Sequence, residues 1–134
     1  MTSASTSTAG ILLVTVVAIE YGGVSLLHFI SRRVPGYLDN PVRQNLFRAG
    51  HAHAGVLVVL ALVAMLYVDR AALSDTGKEL VRWGFTAPAV LIPAGFFLSV
   101  ASPRAERPNR LITMTYLGAV LLAGAVVTLG VRLL

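Results

Sequence analysis

The sequence predicts an all-α fold, an integral membrane four-helix bundle with short loops. Hydrophobic residues make up 56% of the 134 residues and charged residues only 13%, whereas about a quarter of a typical soluble domain is charged. The apolar residues fall into four segments, each close to the roughly 20 residues that a helix needs to cross a bilayer. The basic residues cluster between these segments, which is typical of a protein that spans a membrane.

The composition also excludes several classes of function. The absence of cysteine excludes disulfides, thiolate metal sites, iron–sulfur clusters and covalently attached c-type haem. The net charge of +5 does not predict nucleic-acid binding, because the basic residues form no stripe on a water-facing surface. No phosphate-binding glycine loop, nucleophile elbow or zinc-protease helix occurs, so we do not expect an enzyme that works on its own.

The first segment is predicted to be a retained membrane span over residues 10–31. Residues 1–9 are rich in Ser and Thr and carry no charge, and we expect them to be disordered. They lack the basic stretch that begins a secretory signal peptide. Residues 10–134 are then expected to form a single four-span domain.

The other spans follow from the same apolar pattern and from local signals at their ends. Asn40 followed by Pro41 is typical of a helix N-cap with proline in the first turn, so the second helix is expected to begin at Pro41. Residues 69–82 are predicted to be a loop with at most one helical turn. In the fourth span, Gly118 and Gly124 predict close contact with a neighbouring helix. The three spans are expected at 46–68, 83–102 and 111–132.

The basic residues predict how the chain is oriented. Seven of them lie in or beside loops 32–46 and 103–110, and four lie on the other side. Because lysine and arginine favour the cytoplasmic side of a membrane, both loops are expected in the cytoplasm and both termini outside, in a plasma or cytoplasmic (inner) membrane. The seven are Arg32, Arg33, Arg43, Arg48, Arg104, Arg107 and Arg110.

The three histidines gather near one end of the first two spans. His28 lies about one turn from the end of the first span, and His51 lies at a similar depth near the start of the second. We expect His28 to meet His51 or His53, and that pair to bind haem b or a transition metal (Cu, Zn or Fe). His51 and His53 project about 200° apart, so they do not share one small site. Arg48, one turn before His51, is expected to reach the headgroups or to pair with a haem propionate or a substrate anion.

A second set of polar residues lies inside the first span. Glu20 is near its midpoint, and Tyr21 and Ser25 lie beside it on one stripe of the helix. Ionisable groups in a membrane span are costly and usually functional. We therefore predict a proton relay of Glu20, Tyr21 and Ser25 leading towards His53 and His28, with helix association as the alternative role of Glu20.

Three functions remain open from these patterns. The first is a haem- or metal-carrying membrane subunit for electron transfer or cofactor handling. The second is a small proton-linked channel or transporter that uses Glu20 and the histidines. The third is a non-catalytic accessory or assembly subunit of a larger membrane complex. In each case the expected partners are the lipid bilayer and either further copies of the chain or a larger complex, and not nucleic acid.

Overall fold

The computed structural model describes all 134 residues, which form four long helices and no strand. Each of the four is long and apolar enough to cross a membrane by length and composition, as the apolar segments predict. The helices are α1 (Ser3–Ser31), α2 (Pro41–Tyr67), α3 (Asp75–Ser99) and α4 (Thr113–Leu133). One short 3₁₀ turn, Val68–Arg70, follows α2, and another, Arg110–Ile112, precedes α4.

Side-chain caps explain where three of the helices begin. Asn40 accepts a hydrogen bond from the backbone N–H of Arg43 at 3.1 Å, and Pro41 occupies the first turn of α2, which confirms the predicted start. Ser74 caps α3 in the same way. That cap places the start of α3 eight residues before the predicted span, because polar residues 75–82 extend the helix.

The prediction that residues 1–9 are disordered is wrong, because α1 begins at Ser3. Thr2 caps the helix through the backbone N–H of Ser5. The Ser5 side chain is buried and hydrogen-bonded to Asp69 and Arg82 at 3.0 Å each. Contacts with a distant part of the chain therefore order a segment that has few apolar residues to bury.

The helices pack in chain order around a central pair. α2 and α3 form the centre, α4 packs along α3, and α1 packs along α2 while touching α3 at few points. The core consists mainly of α2 and α3 residues, and α1 contributes one fully apolar buried side chain, Leu12. Because α1 packs mainly on α2, a cleft remains between α1 and α3. The core residues of the central pair include Val58, Ala61, Met65, Phe85 and Ile92.

Glycines allow α3 and α4 to approach closely. A Cβ atom added to Gly118 would lie 2.7 Å from Ile92, and one added to Gly84 would lie 2.5 Å from Ala125. Gly118 therefore makes the close helix contact that the sequence predicts. Gly124 does not, since no atom lies within 4 Å of the position of its Cβ.

Arg43 helps to join the loop before α2 to the end of α3, and Asn40 donates to the carbonyls of Pro103 and Ala105 in the loop that follows. Arg43 donates from Nη1 to the carbonyl of Gly36 at 2.9 Å and from Nε to that of Val100 at 3.2 Å. Its guanidinium also lies 4.6 Å from the centre of the Phe47 ring. Through these contacts Arg43 stabilises the end of the protein that carries the histidines.

Candidate functional site

His51 projects from α2 against α1, where two adjacent glycines make room for its ring. A Cβ atom on Gly23 would lie 3.2 Å from Cε1 and Nε2, and one on Gly22 would lie 3.6 Å from Nδ1. The ring is half-buried. Unlike His53, it makes no hydrogen bond to the protein. Neither ring nitrogen therefore has a hydrogen-bond partner that a ligand would have to displace.

The cleft between α1 and α3 has His51 in its wall. Its volume is about 480 Å³, within the range of roughly 300–1,000 Å³ that small-molecule sites occupy. Most of the lining is apolar, and Trp83 and Phe97 supply aromatic surfaces. The cleft thus combines an apolar interior with one unpaired imidazole. This combination suits a lipophilic ligand that carries a group, such as a metal ion, to which a ring nitrogen of His51 can bind. Polar wall residues include Thr8, Thr15, Thr86 and Arg82.

His53 lies on another face of α2 and points to α3. Its ring packs against Phe96 with 5.1 Å between the ring centres. Nδ1 lies 2.8 Å from the carbonyl oxygen of Ala49, and because a carbonyl can only accept, Nδ1 carries the hydrogen. His51 and His53 therefore contact different helices, as their spacing along α2 predicts.

The structure does not bring His28 to the same place as His51. The ring of His51 is level with Gly22 and Gly23, so His28 lies five to six residues, or about 8 Å, further along the axis of α1. Five residues also turn the helix by about 140° relative to Gly23. His28 is exposed, with its ring edge towards Phe29.

The side chains present do not form a metal site with several protein ligands. No group of three or more histidine, aspartate or glutamate side chains is placed to hold a metal ion. Zinc, copper and non-haem iron sites generally need three or four protein donors. The donor set around His51 fits a group that needs a single axial imidazole better than it fits a bare metal ion.

Glu20, Tyr21 and Ser25 lie along α1 but are not linked to one another through their side chains. Glu20 is exposed and makes no ion pair or hydrogen bond, and the Tyr21 side chain is 73% exposed. The Ser25 hydroxyl donates to the backbone carbonyl of Tyr21 at 2.8 Å. None of the three lines the cleft between α1 and α3.

A polar cluster that the sequence interpretation missed closes one end of the cleft. Arg82 is only 7% exposed and forms an ion pair with Asp69 at 3.0 Å. It also donates to Ser5 and Glu79. The N-cap at Ser74 is the signal that could have found this cluster, because it places Arg82 two turns inside a helix and not in a loop.

The chain matches no protein-family model, and no curated protein or solved structure matches it.

Proposed function

We propose that the four helices span a membrane and that the protein is a subunit carrying a b-type haem in the cleft between α1 and α3, with His51 as an axial ligand. The observation that carries this proposal is the unpaired imidazole of His51 in the wall of an apolar cleft of about 480 Å³. We retain the haem that the sequence led us to expect. His51 is now the only haem ligand from one chain, in place of a pair of histidines.

The chemistry of the cleft agrees with such a group. A neutral imidazole is the usual axial ligand of a b-type haem, and Trp83 and Phe97 offer flat apolar surfaces for a macrocycle. A bound haem supplies one-electron chemistry. The chain would hold the haem through His51, whose ring is positioned by Gly22 and Gly23.

A haem titration of the purified chain tests the proposal. The protein is expressed without added haem, purified in detergent and titrated with hemin while the absorption spectrum is recorded. We expect saturation at one haem per chain and a Soret band that is lost in His51→Ala. The control is His53→Ala, which removes an imidazole from the opposite face of α2 and should keep the band. An unshifted hemin spectrum, or equal binding by His51→Ala, would overturn the proposal.

A separate observation favours a second function, assembly with other membrane subunits. Glu20 lies near the middle of α1, and both it and Tyr21 are exposed on the outer face of that helix. An ionisable side chain facing lipid at that depth is costly, so contact with another subunit or a second copy would stabilise the protein.

Cysteine crosslinking tests this second function, because the chain has no cysteine of its own. Val24→Cys places a thiol on the exposed face of α1, and Val16→Cys places one towards the core. We expect crosslinks in native membranes from Val24→Cys and none from Val16→Cys. Crosslinking from neither position would count against an assembly through α1.

A further inference from the structure

Tyr37, in the loop between α1 and α2, is an unusual buried residue. Its side chain is 0% exposed, and its hydroxyl is the only buried side-chain polar atom in the chain without a hydrogen-bond partner. Leaving a buried donor unpaired costs about 1–3 kcal/mol, and native proteins rarely do so. A buried hydroxyl of this kind needs a partner from outside the chain, which is either a water molecule or a ligand.

Tyr37 lines a shallow depression that also contains a free arginine. The depression measures about 490 Å³ and has Arg48 and His51 in its wall. Arg48 is exposed and makes no hydrogen bond or ion pair, whereas Arg43 on the preceding turn donates to two backbone carbonyls at 2.9 and 3.2 Å. Burial raises the pKa of Tyr37, against the opposing effect of the positive charges of Arg48 and Arg43, so its hydroxyl is a proton donor at neutral pH. One neutral donor and one unpaired cation thus lie together.

An apolar groove continues from this depression along the outside of α1 and α2. A second depression of about 420 Å³ shares His51 and Ala52 with the first and extends to Val59. From Arg48 to Val59 the helix rises about 16 Å, which is comparable to the length of a lipid acyl chain inside one leaflet of a bilayer about 30 Å thick. Gly55, whose Cβ position has no atom within 4 Å, leaves the groove open midway.

We propose that this surface binds an anionic phospholipid, with one acyl chain along the groove past Gly55. Arg48 holds the phosphate, and the Tyr37 side chain turns towards the depression so that its buried hydroxyl donates to the same phosphate. Guanidinium and phosphate form strong charge-assisted hydrogen bonds, and basic pockets between helices near a membrane surface bind anionic headgroups. The depression is at the end of α2 next to the loops, where a headgroup lies if α2 spans the bilayer. The depression shares the His51 ring with the cleft proposed for haem, but Arg48 and Tyr37 do not line that cleft.

Native mass spectrometry of the full chain, titrated with phosphatidylglycerol and with phosphatidylcholine, tests the proposal. We expect phosphatidylglycerol to bind at least about 10-fold more tightly than phosphatidylcholine. Arg48→Gln and Tyr37→Phe should each weaken phosphatidylglycerol binding by about 10-fold, as the loss of a hydrogen bond to a charged group predicts. Tyr37→Phe removes no hydrogen bond within the protein, so this variant is expected to fold. The matched control is Arg107→Gln, an exposed arginine in the loop after α3, which should bind as the wild type does.

Two further measurements separate a lipid from a free anion. Gly55→Leu fills the groove and should weaken phosphatidylglycerol binding, while Gly130→Leu, at another open position, should not. Inorganic phosphate should bind far more weakly than phosphatidylglycerol. Wild-type affinity for phosphatidylglycerol in both Arg48→Gln and Tyr37→Phe would overturn the proposal. Inorganic phosphate that binds as tightly as the lipid would also overturn it.

Discussion

Replacing Arg82 with methionine should detach the beginning of α1 from the rest of the protein. Arg82 lies at 3.0 Å from both the Asp69 carboxylate and the Ser5 hydroxyl, and these partners lie on different segments. Removing one partner of a buried ion pair typically costs about 3–5 kcal/mol. Asp69 would keep hydrogen bonds from the Thr2 backbone and hydroxyl and from Ser5, so we expect the lower end, about 3 kcal/mol.

Glu79→Gln is the matched control for Arg82→Met. Glu79 accepts from Arg82 at 2.9 Å, but its side chain is 53% exposed. Exposed pairs one helical turn apart contribute roughly 0.2–0.5 kcal/mol. The control therefore removes an arginine contact of similar length while leaving the buried part of the cluster intact.

Reversible unfolding in mixed micelles, followed by circular dichroism, measures both variants. Amide hydrogen exchange of residues 3–9 shows whether the start of α1 opens locally. We expect Arg82→Met to lose about 3 kcal/mol and the protection of residues 3–9, and Glu79→Gln to lose neither. Equal destabilisation by the two variants, or full protection of residues 3–9 in Arg82→Met, would refute this account of the cluster.

Two other pairs of substitutions test the helix packing, the first by the same unfolding measurement and the second by hemin titration. Gly95→Ala would force a methyl group into the backbone of α4 and should cost about 1–3 kcal/mol, while Gly124→Ala has open space and should gain up to about 1 kcal/mol from helix propensity; a neutral Gly95→Ala would contradict the close contact. Gly22→Ala leaves an ordinary 3.6 Å contact with His51, but Gly23→Ala would press on its ring at 3.2 Å. Gly23→Ala should therefore lower hemin affinity more than Gly22→Ala does, and the reverse order would show that the ring is held differently.

The sequence predicts the helices well because their signals are local. Apolar segments of bilayer length locate all four, and the pair Asn40–Pro41 locates the first turn of α2. The order in residues 1–9 is not predictable in this way, because it depends on Ser5 bonding to Asp69 and Arg82, which are 64 and 77 positions away. Composition describes local preference and contains no information about such partners.

The candidate site is predictable only in part for a similar reason. The spacing of His51 and His53 predicts that they face different sides of α2, and the structure places His51 against α1 and His53 against α3. Which side meets α1, and at what depth, depends on how closely the two helices approach. The glycines at 22 and 23 decide that approach, and they leave His28 on the outer face about one and a half turns away.

The amount of haem that co-purifies with the chain tests the proposed function most directly. The wild type, His28→Ala and His51→Ala are expressed with a haem precursor supplied, and haem per chain is measured after purification. We predict equal haem in the wild type and His28→Ala, and almost none in a folded His51→Ala protein. Haem-free wild type, or undiminished haem in His51→Ala, would contradict the assignment of His51 as the residue that binds the cofactor.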